Sequence, residues 1–106
     1  MYKGTTPTFT LTLPEEIDLL QADSVFVTLT TDRRKLLLEK TQDDGLTITA
    51  NTIDVFLTQQ ETLAMPTGTV LLQVNWTYQE AGIAKRACSD VVRISWENNL
   101  HSGVIA

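Results

Sequence analysis

The stretch Thr8-Phe9-Thr10-Leu11-Thr12-Leu13 alternates a hydroxyl with a large apolar side chain. Successive side chains on an extended strand point to opposite faces, so this spelling puts Phe9, Leu11 and Leu13 inside and the threonines outside. Threonine is β-branched and suits a pleated surface. The same period of two recurs at Val27-Thr28-Leu29-Thr30, Leu46-Thr47-Ile48-Thr49 and Thr52-Ile53. A threonine hydroxyl does no chemistry without an activating base. The pattern therefore announces a small antiparallel β domain with no visible catalytic apparatus.

Outward from that stretch, turn residues punctuate further strands. The first strand, at residues 8–13, stops at Pro14, which cannot donate to a ladder. Residues 15–22 lack clean alternation and read as a helical turn or an irregular crossover. Strands follow at 24–30 and 35–40, parted by the polar turn Thr31-Asp32-Arg33-Arg34. Asp43-Asp44-Gly45 closes a hairpin, and short strands at 46–49 and 52–57 come next. Thr58-Gln59-Gln60-Glu61 has the spelling of a capping box, which predicts one helical turn through Ala64 before Pro66. Two long strands, 69–78 and 84–96, are joined across Gln79-Glu80-Ala81-Gly82. The expected fold is an all-β, immunoglobulin-like antiparallel sandwich of about seven strands with one short helical turn. Pattern alone does not decide closure, and a small barrel fits the same spelling.

The expected inward sets are Phe9/Leu11/Leu13, Val25/Val27/Leu29, Ile53/Val55/Leu57, Val70/Leu72/Val74/Trp76 and Val92/Ile94/Trp96. Residues 1–97 make a single domain, and residues 98–106 read as a flexible tail.

A chain of 106 residues, 42% hydrophobic and 20% charged, has the composition of one soluble globular domain. It has no apolar run long enough to span a membrane and no basic segment leading an apolar one, so neither a membrane span nor a signal peptide is expected. A net charge of −5 argues against phosphate-backbone binding. A single cysteine, Cys88, cannot form an internal disulfide, which fits a reducing cytoplasm.

Catalytic constellations are weak. A Cys-His pair would need Cys88, read as a small core residue, and His101, in the tail where nothing orients it. One His and one Cys cannot supply the four ligands of a structural zinc. Glu15/Glu16/Asp18 and Asp43/Asp44 do not spell a calcium loop, and no glycine-rich loop precedes a helix. No enzyme activity, metal or cofactor is expected.

Trp76 and Trp96 could form a sugar-stacking platform, but each continues the inward set of its strand and reads as core. Phe26 and Phe56 are the positive signal. Each lies out of phase with the apolar set around it, where a half-buried strand carries a polar residue. They mark either strands covered on both faces or one face, containing both rings, in contact with another chain. The basic groups Arg33-Arg34-Lys35 and Lys85-Arg86 both fall at hairpin ends and read either as solvated charges or as a match for an acidic surface; Arg33 and Arg34 join the two phenylalanines as candidate interface residues. Leu63 is expected to plug one end of the sandwich.

Gly4-Thr5-Thr6-Pro7-Thr8 with Phe9 and Leu13-Pro14 resembles the start of small proteins encoded in tail and baseplate gene clusters of phages and prophages of Gram-positive bacteria. The resemblance continues at Leu57-Thr58-Gln59-Gln60-Glu61-Thr62-Leu63, Gln73-Val74 and Ser89-Asp90, and runs from about Met1 to Trp96. The strand order is also similar to the N-terminal domain of baseplate upper proteins, an immunoglobulin-like sandwich. The resemblance implies a structural or assembly role in the virion, with no catalytic residues to carry over. Its implied partners are itself or other tail proteins, with no nucleic acid, membrane or small-molecule substrate. The implied location is the host bacterial cytoplasm during assembly and then the virion. A long C-terminal helix or fibre-forming extension is missing from this sequence, which favours an adaptor, chaperone or small assembly subunit over a receptor binder. The residues alone also fit a carbohydrate-binding or adhesin-type module.

Overall fold

The computed structural model describes residues 1–101 and 103–105. Its strands are β1 (Thr8–Thr12), β2 (Ser24–Thr31), β3 (Leu36–Thr41), β4 (Leu46–Ile48), β5 (Thr52–Phe56), β6 (Gly68–Glu80), β7 (Ile83–Cys88) and β8 (Val92–Trp96). One helical turn, α1 (Gln59–Leu63), joins β5 to β6, and a 3-10 turn at Leu19–Gln21 lies in the crossover before β2. Two separate antiparallel sheets form, one ordered β1-β5-β4 and one ordered β3-β2-β6-β7, with β8 also on β6. Their inner faces share a single apolar cluster that includes Val27, Leu29, Ile53, Val55, Leu72, Val74 and Trp96. The fold is the expected all-β sandwich. Its strand order differs in detail from the constant immunoglobulin arrangement, because β2 and β3 form a hairpin within one sheet.

The alternation read from the sequence becomes burial. Along β2, Val25, Val27 and Leu29 are buried while Ser24, Phe26, Thr28 and Thr30 are half-exposed. Each such aliphatic side chain stabilises the fold by about 1.5–3 kcal/mol relative to exposure. Trp76 and Trp96 are both buried, and Trp96 meets Phe9 edge to face with ring centroids 6.5 Å apart. Both rings are core, as their strand phase predicts. Val92, expected inside, is 37% exposed at the start of β8.

The expected strand at 84–96 is two strands. Asn75 pairs with Cys88 and Leu72 pairs with Val92, so four steps along this edge span three along β6. The extra residue falls at Ser89–Val91, and the cause is Ser89. Its N–H donates to the Val74 carbonyl at 2.8 Å, and its Oγ accepts from the Val74 N–H at 3.0 Å. The Gln73 amide donates to the Ser89 carbonyl at 2.8 Å. A one-residue bulge reverses which face every later side chain takes. That corrects the reading of Cys88, which shares the even numbering of Ile94 and Trp96 but lies on the outward face and is exposed.

The β6–β7 connection is a two-residue turn at Ala81 and Gly82, with φ of 53° and 78°. Two successive positive φ values give the turn whose twist matches the flanking strands. The expected capping box is present. Thr58 Oγ1 accepts from the Glu61 N–H at 3.2 Å, and Glu61 Oε1 accepts from the Thr58 N–H at 2.9 Å. Leu63 does not plug the sandwich. It is half-buried against Gly4, and Thr62 and Met65 are the buried residues here.

Thr62 ties down the N-terminal segment. Its hydroxyl accepts from the Gly4 N–H at 2.9 Å and donates to the Thr5 carbonyl at 2.7 Å. Residues 1–3 then run beside the end of β8: the Met1 ammonium donates to the Ser95 carbonyl, the Glu97 N–H to Met1, and the Lys3 N–H to Glu97. Thr62→Val keeps the shape but leaves the Gly4 donor and Thr5 acceptor unpaired. The expected cost is about 1–2 kcal/mol, with faster amide exchange at residues 2–6. An unchanged denaturation midpoint and unchanged exchange would show that the segment is held elsewhere.

Of the stretch expected to be a flexible tail, residues 102 and 106 lie outside the described residues, and Asn98, Asn99 and Ile105 make defined contacts. Asn98 Oδ1 accepts from Thr67 and Lys3, Asn99 donates to the Lys3 carbonyl, and Gln59 pairs with both backbone groups of Ile105 at 2.8 and 2.9 Å.

Candidate assembly face

The outward side of the five-stranded sheet is built by register. Phe26 lies beside Thr41 on β3 and Asn75 on β6; Asn75 in turn lies beside Cys88 on β7. One step along, Thr28 lies between Glu39 and Gln73. One step the other way, Ser24 pairs with Thr77 and Thr77 with Arg86. All these side chains share one face, because each pairs directly with a neighbour in phase with Phe26.

The charged groups on this face are held in place. Thr28 Oγ1 donates to Glu39 Oε2 at 2.8 Å. Arg86 donates through Nε and Nη2 to Asn75 Oδ1, at 3.1 and 3.0 Å. Between them lies a hollow of about 250 Å³ lined by Phe26, Thr28, Glu39, Asn75, Thr77 and Arg86. An aromatic ring flanked by fixed polar groups of opposite charge resembles a small interface core with its rim.

The other candidates divide. Arg34, at φ 69° in the β2–β3 turn, lines a smaller hollow with Thr28, Thr30 and Gln73, and so borders the same face. Arg33 is exposed in that turn. Phe56 is 42% exposed, but it pairs with Thr8 on the outward side of the other sheet. Phe26 and Phe56 therefore cannot form one patch, which corrects the expectation of a shared face. Its threonine-rich surroundings include Thr10, whose hydroxyl donates to Asp54 at 2.6 Å.

Arg86 was legible only as half of a basic pair expected at a hairpin end, whereas it stands within β7; Glu39 and Asn75 were not legible as site residues. Their only sequence signal is strand phase, and it acquires meaning once the non-local β2–β6 pairing is known.

A second cluster of charge is structural. Lys40 faces inward opposite Val27 and is 2% exposed. Its ammonium meets Glu61 Oε2 at 2.9 Å and Asp44 at 3.9 Å. Gly45, at φ +76°, leaves room for it: a Cβ there would come within 3.1 Å of the Lys40 nitrogen. Burial by itself would raise the Glu61 carboxyl, but the Thr58 N–H bond and the Lys40 ammonium outweigh it and hold the group below its ordinary 4.5. Among the described residues, no three His, Cys, Asp or Glu side chains are grouped to hold a metal ion. No described helix is long and apolar enough to cross a membrane.

No protein-family model matches the chain, and searches of curated proteins and of solved structures returned no match.

Proposed function

We propose that this chain is a structural or assembly component of a phage or prophage tail or baseplate, acting through protein–protein contacts. The observation that carries the reading is the Phe26 ring, half-exposed on the outward face of a sheet between a fixed carboxylate and a fixed guanidinium. The motif resemblance from about Met1 to Trp96 supplies the virion setting. A sugar platform made from the two tryptophans has no support, since both rings are buried.

The test is to induce the prophage of the encoding strain and probe purified particles and assembly intermediates with antibody against this chain. Signal at the tail end of particles, or in tail precursors, is expected. Its absence from both overturns the assignment.

A further inference from the structure

Glu39, Phe26, Asn75 and Arg86 stand on four neighbouring strands, β3, β2, β6 and β7. Glu39 lies one register step to one side of the Phe26–Asn75 level and Arg86 one step to the other. Phe26 and Asn75 therefore sit close to the midpoint of the line from Glu39 to Arg86. We infer that this face binds a second copy of the chain about a two-fold axis that lies in the face, crosses that line at right angles and passes beside Phe26.

The charges choose this arrangement. A two-fold perpendicular to the line exchanges its ends, so each Glu39 lies over the Arg86 of the other copy. A two-fold along the line would set Glu39 on Glu39 and Arg86 on Arg86, and like charges in contact are strongly unfavourable. Both side chains are exposed, and among the described residues neither belongs to an ion pair. Only Oε2 of Glu39 and Nε and Nη2 of Arg86 are hydrogen-bonded there, which leaves Oε1 and Nη1 to reach across. The hollow beside Phe26 provides room for a ring from the other copy at the centre, where aromatic anchors contribute most. A net charge of −5 opposes self-association at long range, so a contact needs opposite charges locally. An unrelated partner would need its own acid and base at the same separation; a second copy has them by symmetry. The inference rests on the reading of this face as an assembly contact.

The experiment measures mass against concentration by sedimentation equilibrium, for wild type, Glu39→Arg, Arg86→Glu and the double variant. Thermal midpoints serve as folding controls, since both positions are exposed. The wild type is expected to dimerise. Each single reversal sets like charges over one another and should weaken association by about tenfold to a hundredfold. The double variant restores the homodimer, and a one-to-one mixture of the two single variants restores a heterodimer, because both contacts become complementary again. A wild type monomeric up to about 1 mM overturns the two-fold, including when the Phe26 face instead holds another virion protein or a glycan. A wild-type dimer whose mass the single reversals leave unchanged also overturns it. If a monomeric wild type is still found in virions, the assembly function stands without the two-fold. A charge-dependent dimer absent from particles gives the opposite result.

Discussion

Glu61→Ala is expected to destabilise the protein by about 2–4 kcal/mol, far more than removal of an exposed carboxylate. Two losses combine. The buried Lys40 ammonium loses its partner at 2.9 Å and, among the described residues, keeps only Asp44 at 3.9 Å. The Thr58 N–H loses the acceptor that closed the capping box, which weakens the turn leading into β6. Lys40→Met should behave quite differently. It removes the buried charge and retains most of the volume, and Glu61 still caps Thr58 from a partly solvated position, so the cost is about 1 kcal/mol or less. In the Lys40→Met background, Glu61→Ala should cost only about the value of the cap, about 1 kcal/mol. Urea denaturation of the four proteins completes the cycle. A Glu61→Ala loss equal in both backgrounds would show that the ion pair contributes nothing beyond the cap.

The same pair predicts an acid dependence. The Glu61 carboxyl lies below its ordinary 4.5 when folded, so the folded state holds that proton less tightly than the unfolded state. Its contribution is complete above about 4.5 and is lost as pH falls through the folded value. Wild type should lose stability more steeply than Glu61→Gln as pH falls below the ordinary 4.5 of the carboxyl. Parallel profiles would mean that Glu61 is not the linked group.

Trp96→Ala should cost about 3–5 kcal/mol, because the largest of the fully buried side chains leaves a cavity that Phe9 and its strand neighbours cannot fill. Trp96→Phe should cost about 1 kcal/mol or less. The indole nitrogen is buried and has no protein acceptor among the described residues. Replacing the indole removes a desolvated donor and so offsets part of the lost packing. Denaturant midpoints decide the point. A Phe variant as damaging as the Ala variant would mean that the N–H is satisfied and contributes to stability.

The class of fold and most of the core were legible in the residues. Alternation at residues 8–13 and 24–30 depends on local backbone geometry, since a pleated strand sends neighbours to opposite faces whatever its partner is. Thr58 and Glu61 are three residues apart, so their mutual capping was legible as well. Long-range pairing was not legible. The Ser89 bulge arises from hydrogen bonds to Gln73 and Val74, and it alone places Cys88 outside while Ile94 and Trp96 stay inside.

Phe26 and Phe56 carried the same out-of-phase signal, yet the β2–β6 and β1–β5 ladders set them on the outward sides of different sheets. Lys40 ends the strand expected at 35–40, and only the return of α1 brings the Glu61 carboxylate to it. The candidate face likewise needed three ladders to bring Glu39, Asn75 and Arg86 around Phe26. Side-chain direction is a local property of the chain. Which outward side chains become neighbours depends on register between distant strands, and that is set when the whole core closes at once.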